Sequence, residues 1–234
     1  MSAPLAGPSL PVLGGKVLLT ALREDDVDRI VEACSTEDAE RFLDTPWPYR
    51  RADAESFVRE FAPAGWRGEH DERTWAIRES LRGPIAGVVG LRGERAEVGY
   101  WLHPDAQGRG LMADALRTLV GHAEGCLTWP EVHWRCFDGN VASMRVAKAA
   151  GFSYLGAHET EPTTGRGRAG ARRLEHHAVR VAGGMPERVV DLLEAVEIDM
   201  DQAERRRRTR PGRQRGIHRA AVVQAGQRVG PRLN

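Results

Sequence analysis

Cysteine is scarce in this chain, with Cys34, Cys126 and Cys136 the only three in 234 residues. An odd count without Cys-x-x-Cys or His-x3-His spacing indicates neither a disulfide framework nor a zinc site, so buried, unreactive thiols and no bound metal are expected. His176 and His177 adjoin in a strand-like run and point to opposite faces, which argues against a metal shared between them. No run of about 18 apolar residues occurs, which excludes an ordinary membrane-spanning helix. The opening "MSAPLAGPSLPVLGGK" has prolines and glycines where a signal peptide needs an unbroken apolar block, so a cytoplasmic protein with no membrane partner is expected. Acidic residues are missing from one stretch: 205–234 holds ten Arg and no Asp or Glu, leaving 24 Lys/Arg against 33 Asp/Glu in residues 1–204. The formal net charge of +1 therefore hides an acidic body and a basic tail. Such a body does not suit nucleic acid along its main surface. The tail, led by Arg205 to Arg208, reads either as a solvated segment or as an RNA or ribosome contact.

What is present is a core. A hydrophobic content of 41% over this length suffices for one domain of about 150 to 200 residues plus an appendage. Residues 16–22 read as a strand, and 23–35 as a helix with Val27, Ile30 and Val31 at helical spacing. A Pro-rich loop leads to a second helix over 52–62. Three β-type runs follow at 73–79, 85–91 and 96–102. A helix over 109–123, a strand at 131–137, a short helix from Asn140 to Gly151 and a last strand pair (152–159 and 172–182) complete the order βααβββαβαββ. The helix between 96–102 and 131–137 lets those strands run parallel in an otherwise antiparallel sheet. The expected class is α/β (α+β), a mixed, mostly antiparallel sheet flanked by helices, in one domain over about 10–182. Residues 183–204 carry Val189, Leu192, Leu193, Val196 and Met200 at helical spacing behind Pro186, which predicts an amphipathic helix. Residues 205–234 lack periodicity and aromatics, which predicts disorder.

The stretch "HPDAQGRGLMADAL" (103–116) is the most informative. It passes from a polar turn into a helix across Gly108-Arg109-Gly110. Glycines at a helix start let backbone N–H groups approach a phosphate closely. The P-loop is excluded, because no Lys or Ser/Thr follows Gly110. The dinucleotide fingerprint G-x-G-x-x-A fits 108–113 as letters, but "HPDAQ" separates it from the preceding strand. Taken with Glu97 to Trp101 and with Asn140-x-x-Ser143 and Gly151-Phe152, the stretch resembles the GNAT acetyltransferases. Within them it is nearest the branch that acetylates ribosomal-protein N-termini. The resemblance spans roughly 16–182. It implies acetyl-CoA as co-substrate, with the diphosphate held at Gln107, Gly108, Arg109, Gly110, Leu111 and Met112. It further implies a pantetheine arm paired with the strand ending at Trp101 and Leu102, and a CoA contact from Asn140. Gly108 and Gly110 bring backbone to phosphate, and Arg109 adds charge when turned inward. Met112 stands where Ala or Gly is usual.

Transfer from a thioester to an amine needs a neutral amine and a leaving thiolate, and a thiol of pKa about 8.5 leaves with modest acid help. Many relatives place a Tyr four residues before Gly-Phe as that acid; here the position is Ala147. The resemblance moves the role to Ser143, with Tyr154 in reserve, and makes Glu97 a base or an orienter of the amine. Local capping and a solvent-facing strand position are the plainer readings of Ser143 and Glu97, and Asn140 reads as an N-cap in its own right. At pH 7 an α-amine of pKa about 7.8 is about 14% neutral and a lysine amine under about 0.1%. A site with one weak base therefore favours a peptide N-terminus or a small amine of similar basicity, reached by direct attack. Trp47 and Tyr49, in the Pro-rich loop, are candidates to wall the acceptor pocket. The competing readings are a non-catalytic acyl-CoA sensor or adaptor on the same fold, and a nucleic-acid-associated protein led by the tail.

Overall fold

The computed structural model describes residues 7, 8, 11–126, 129–160 and 173–181. The expected helix over 183–204 and the disordered tail over 205–234 lie outside them. Eight strands form one sheet in the order β1-β2-β3-β4-β5-β6-β8-β7. They are β1 (Val12–Leu13), β2 (Leu18–Thr20), β3 (Glu72–Arg78), β4 (Gly87–Arg92), β5 (Glu97–Leu102), β6 (Glu131–Phe137), β7 (Ser153–Thr160) and β8 (Arg173–Val181). Every pairing is antiparallel except β5 with β6. The mixed sheet inferred from the intervening helix is thus present, and its strand bounds fall within two residues of those expected from β3 onward. The two-residue β1 was not anticipated, being too short to show a period.

Strand alternation sends successive side chains to opposite faces and so divides the core in two. Val98, Tyr100 and Leu102 of β5 join Trp75 and Ile77 of β3 and Trp134 of β6 under α5 (Leu111–Cys126) and α6 (Val141–Ala149). Trp101, one position out of phase, packs with Ala76 and Val88 against the other layer. That layer is built from α1 (Val27–Cys34), α2 (Glu37–Phe42), α3 (Arg51–Ser56) and α4 (Ala62–Arg67). The short α2 escaped the sequence reading although it carries its own start signal: the Thr36 side chain accepts from Ala39 N–H at 3.1 Å.

The helix expected to stop before Pro63 instead runs to Arg67. A π-helical turn over Phe57–Phe61 joins α3 to α4 directly ahead of the proline. Proline has no N–H for the ordinary ladder and crowds the carbonyl one turn back; a widened turn relieves both. Gly68, at φ 78°, ends the segment. A buried ion pair ties this face to the sheet: Arg78 holds Asp26 through Nη1–Oδ1 at 2.8 Å and Nη2–Oδ2 at 2.6 Å. Neither side chain is more than 2% exposed. Thr20 Oγ1 accepts from Arg78 Nε, and the Gly83 carbonyl accepts from Nη1, so four of the five guanidinium N–H groups have a protein acceptor. All three cysteines are free thiols; Cys34 and Cys136 are buried as expected, whereas Cys126, at the end of α5, is exposed.

Candidate active site

β5 and β6 begin together and then separate. Their register contains only Glu97↔His133 and Val98↔Trp134, although β5 continues to Leu102 and β6 to Phe137. His133 N–H donates to Ala96 C=O on the β6 side, whereas His103 N–H donates to Ala86 on the other. By alternation, the N–H and C=O groups of Tyr100 and Leu102 face the gap that β6 leaves. Trp101 presents its backbone to Val88 of β4 instead. Of the two residues expected to pair with an extended arm, Leu102 turns its main chain to the gap and Trp101 does not, while Tyr100, two positions earlier, faces the gap as well.

The glycine loop lies just past the end of β5. Gly108 and Gly110 have φ of 74° and 76°, a region in which other residues are strained by about 1 kcal/mol or more. The ladder of α5 begins with Asp114 N–H donating to Gly110 C=O at 3.2 Å, so the N–H groups ahead of it point out of the helix end without a ladder partner. Leu111 and Met112 contribute backbone only, since their side chains are buried in the sheet core. The bulk of Met112 therefore does not crowd the turn. The Arg109 guanidinium pairs with Glu79, both side chains about half exposed. The cation beside the glycines is Lys16. Asp114 Oδ2 accepts from the backbone N–H of Lys16 at 2.6 Å and of Val17 at 3.2 Å. Lys16 Nζ in turn donates to Arg109 C=O at 3.4 Å. No local signal reveals Lys16, because the tie spans 98 positions.

Asn140 caps α6, its Oδ1 accepting from Ser143 N–H at 3.1 Å. Asn140 is fully buried, and its Nδ2 has no partner among the described residues. Ser143 is also fully buried. Trp134 Nε1 donates to its Oγ at 3.2 Å and to Tyr100 Oη at 2.8 Å, and the two hydroxyls stand 3.1 Å apart. Burial pushes the Tyr100 hydroxyl and the neighbouring Cys136 thiol well above their usual ranges, so both stay protonated. Tyr154 forms a separate chain: its hydroxyl meets His176 Nδ1 at 2.8 Å, and His176 Nε2 meets Asp138 Oδ1 at 3.2 Å.

On the opposite face a row of alternating charges crosses the sheet. Arg92 bonds Glu72 at 2.9 Å and Glu97 at 3.3 Å, Arg135 grips Glu97 at 2.6 and 3.1 Å, and Arg135 also reaches Glu175 at 3.1 Å. Glu97 is thus buried and paired rather than solvent-facing. Three of its four lone-pair directions are taken, which leaves one on Oε2. Beyond Glu175, burial first and then the charges of His158 and Arg135 push His177 down to about 4, so its ring is neutral at pH 7. Of the two loop aromatics, Tyr49 is built into the helical core, and Trp47 presents its ring to solvent.

A sheet that splits beside a glycine loop at a helix start is the frame of the N-acetyltransferase class. The family model for the acetyltransferase (GNAT) domain matches residues 16–153, and the chain belongs to that family. Its fold is similar to that of a GCN5-related N-acetyltransferase from Brucella melitensis, at 22% identity over 82% of this chain and 86% of that one with a TM-score of 0.61. It is also similar to the ribosomal L7/L12 alpha-N-protein acetyltransferase RimL in complex with coenzyme A, at 20% identity over 74% and 98% with a TM-score of 0.58. The microcin C7 self-immunity acetyltransferase MccE, in complex with acetyl-CoA and AMP, aligns at 18% identity over 71% and 93% with a TM-score of 0.58. No curated protein sequence matches the chain. Among the described residues no helix is long and apolar enough to cross a membrane.

Proposed function

We propose that the protein transfers the acetyl group of acetyl-CoA to a primary amine, by direct attack and without a covalent enzyme intermediate. The observation that carries this reading is the gap between β5 and β6, which opens beside Gly108 and Gly110. Tyr100 and Leu102 offer main-chain partners to an extended amide chain, and the α5 terminus offers N–H groups and a partial positive charge to a diphosphate. A Cβ at Gly110 would enter this cradle 3.4 Å from Lys16 Nζ, and the orphaned Asn140 Nδ2 is a further donor in want of an acceptor. Acetyl-CoA supplies an activated acyl group; every other part of the step falls to the chain.

In this reading the amine nitrogen bonds the acetyl carbon as the C–S bond breaks; Ser143 Oγ, held by Trp134 and Tyr100, passes its proton to the departing thiolate and regains one from the nitrogen as the amide forms, with Tyr154 as the alternative donor. Glu97 uses its remaining lone pair to orient the amine, and the exposed Trp47 ring borders the acceptor. The acceptor class is a peptide α-amine or a small amine of like basicity, because the dominant neutral fraction at pH 7 belongs to such amines. Thiol release from acetyl-CoA, screened against N-terminal peptides, polyamines and aminoglycosides, tests the assignment. Release with at least one amine is expected; tight acetyl-CoA binding with no release from any of them would leave an acyl-CoA sensor instead.

Ser143→Ala is expected to lower turnover by about 10- to 100-fold while acetyl-CoA affinity stays within about twofold. Wild-type turnover in that variant would transfer the acid role to Tyr154. Lys16→Ala is expected to weaken acetyl-CoA binding by roughly three- to tenfold in calorimetry, with the difference shrinking as salt rises, since a partly exposed ammonium acts on phosphate through a screened field. An affinity loss that persists at high salt would assign Lys16 a packing role.

A further inference from the structure

The β7–β8 ribbon carries a cluster that acetyl transfer does not use. Register places His158 directly opposite Glu175, and Glu175 and His177, two positions apart on β8, share one face. The His158 and His177 rings lie against each other on that face with centroids 3.9 Å apart. One ligand atom from each of the three residues lies within 4.8 Å of the other two. His177 Nε2 is buried and has no hydrogen-bond partner among the described residues. It stands 3.8 Å from Glu175 Oε2, too far for a hydrogen bond. Two ligands held about 2.0–2.2 Å from one tetrahedral zinc stand roughly 3.3–3.6 Å apart, a separation reached by a small ring rotation. Arg135 takes one lone pair of Glu175 and leaves the others, while its own charge is matched by Glu97.

We infer that His158, Glu175 and His177 form an open three-ligand site for a divalent transition-metal ion, with zinc the best match to two imidazoles and one carboxylate. The adjacency of His176 and His177 conceals it in the sequence. His176 turns to the other face and serves Tyr154, and the partner of His177 is His158, 19 positions away across the ribbon. The site does not depend on the acetyl-transfer reading.

The full chain, stripped with chelator, is titrated with zinc chloride in a calorimeter and with cobalt(II) by visible absorbance, with magnesium as the hard-cation comparison. One equivalent of zinc is expected to bind at about 10 µM or tighter, with magnesium silent. His158→Ala and His177→Ala are each expected to weaken zinc at least about tenfold. Circular dichroism reports the fold of each variant, and His158 is exposed, so its truncation leaves the core intact. Absence of one-equivalent binding, or wild-type zinc affinity in a folded His158→Ala protein, overturns the site.

Discussion

Gly110→Glu is expected to abolish acetyl-CoA binding, with affinity falling by at least about 100-fold and the fold retained. Three effects add in the same direction. A side chain at φ 76° is strained by about 1 kcal/mol or more. Its Cβ would stand 3.4 Å from Lys16 Nζ, at the mouth of the proposed diphosphate cradle. The new carboxylate also repels phosphate and competes for Lys16. Calorimetry with acetyl-CoA reads the loss, and circular dichroism with thermal melting reads the fold. Near wild-type affinity in a folded Gly110→Glu protein would remove the diphosphate from this helix end and, with it, the placement of the thioester between β5 and β6. Gly110→Ala separates strain from charge: it is expected to cost several-fold rather than 100-fold, because it adds only the first carbon.

The second large effect concerns stability. Arg78→Leu leaves Asp26 buried with its two guanidinium bonds removed, and loss of one partner from a buried pair costs about 3–5 kcal/mol. At about 2–4 °C per kcal/mol for a domain of this size, the melting temperature should fall by about 6–20 °C. Asp26→Leu alone strands the guanidinium and should fall by a similar amount. The double substitution should recover much of the loss, because an apolar pair of like volume needs no solvation. Equal and additive losses would show that the two side chains act independently, contrary to their bidentate contact.

The sheet and most of its helices were legible because their signals are local. Alternation marks β3 to β6, and Asn140 and the paired glycines punctuate the starts of α6 and α5. Tertiary compensation hid the rest. Pro63 reads as a stop, yet a π turn carries the helix past it. The site shows the same division. The loop 107–112 announces itself, and the depth of Met112 follows only from the orientation of α5. Arg109 invites a phosphate role by its position between the glycines; its pairing with Glu79, 30 residues earlier, and the approach of Lys16 to the same loop are visible only in the fold. The charge row through Glu97 joins residues from five strands and has no counterpart in any window of sequence.

The early divergence of β5 from β6 has a cost when nothing fills it. Tyr100 and Leu102 then form an interior edge whose amide groups pair with no strand among the described residues, open to any extended segment that can slide in. An occupant removes that hazard. Saturating thioester should therefore slow amide exchange along β5, raise the melting temperature and suppress clumping of concentrated protein, all through the same few main-chain groups.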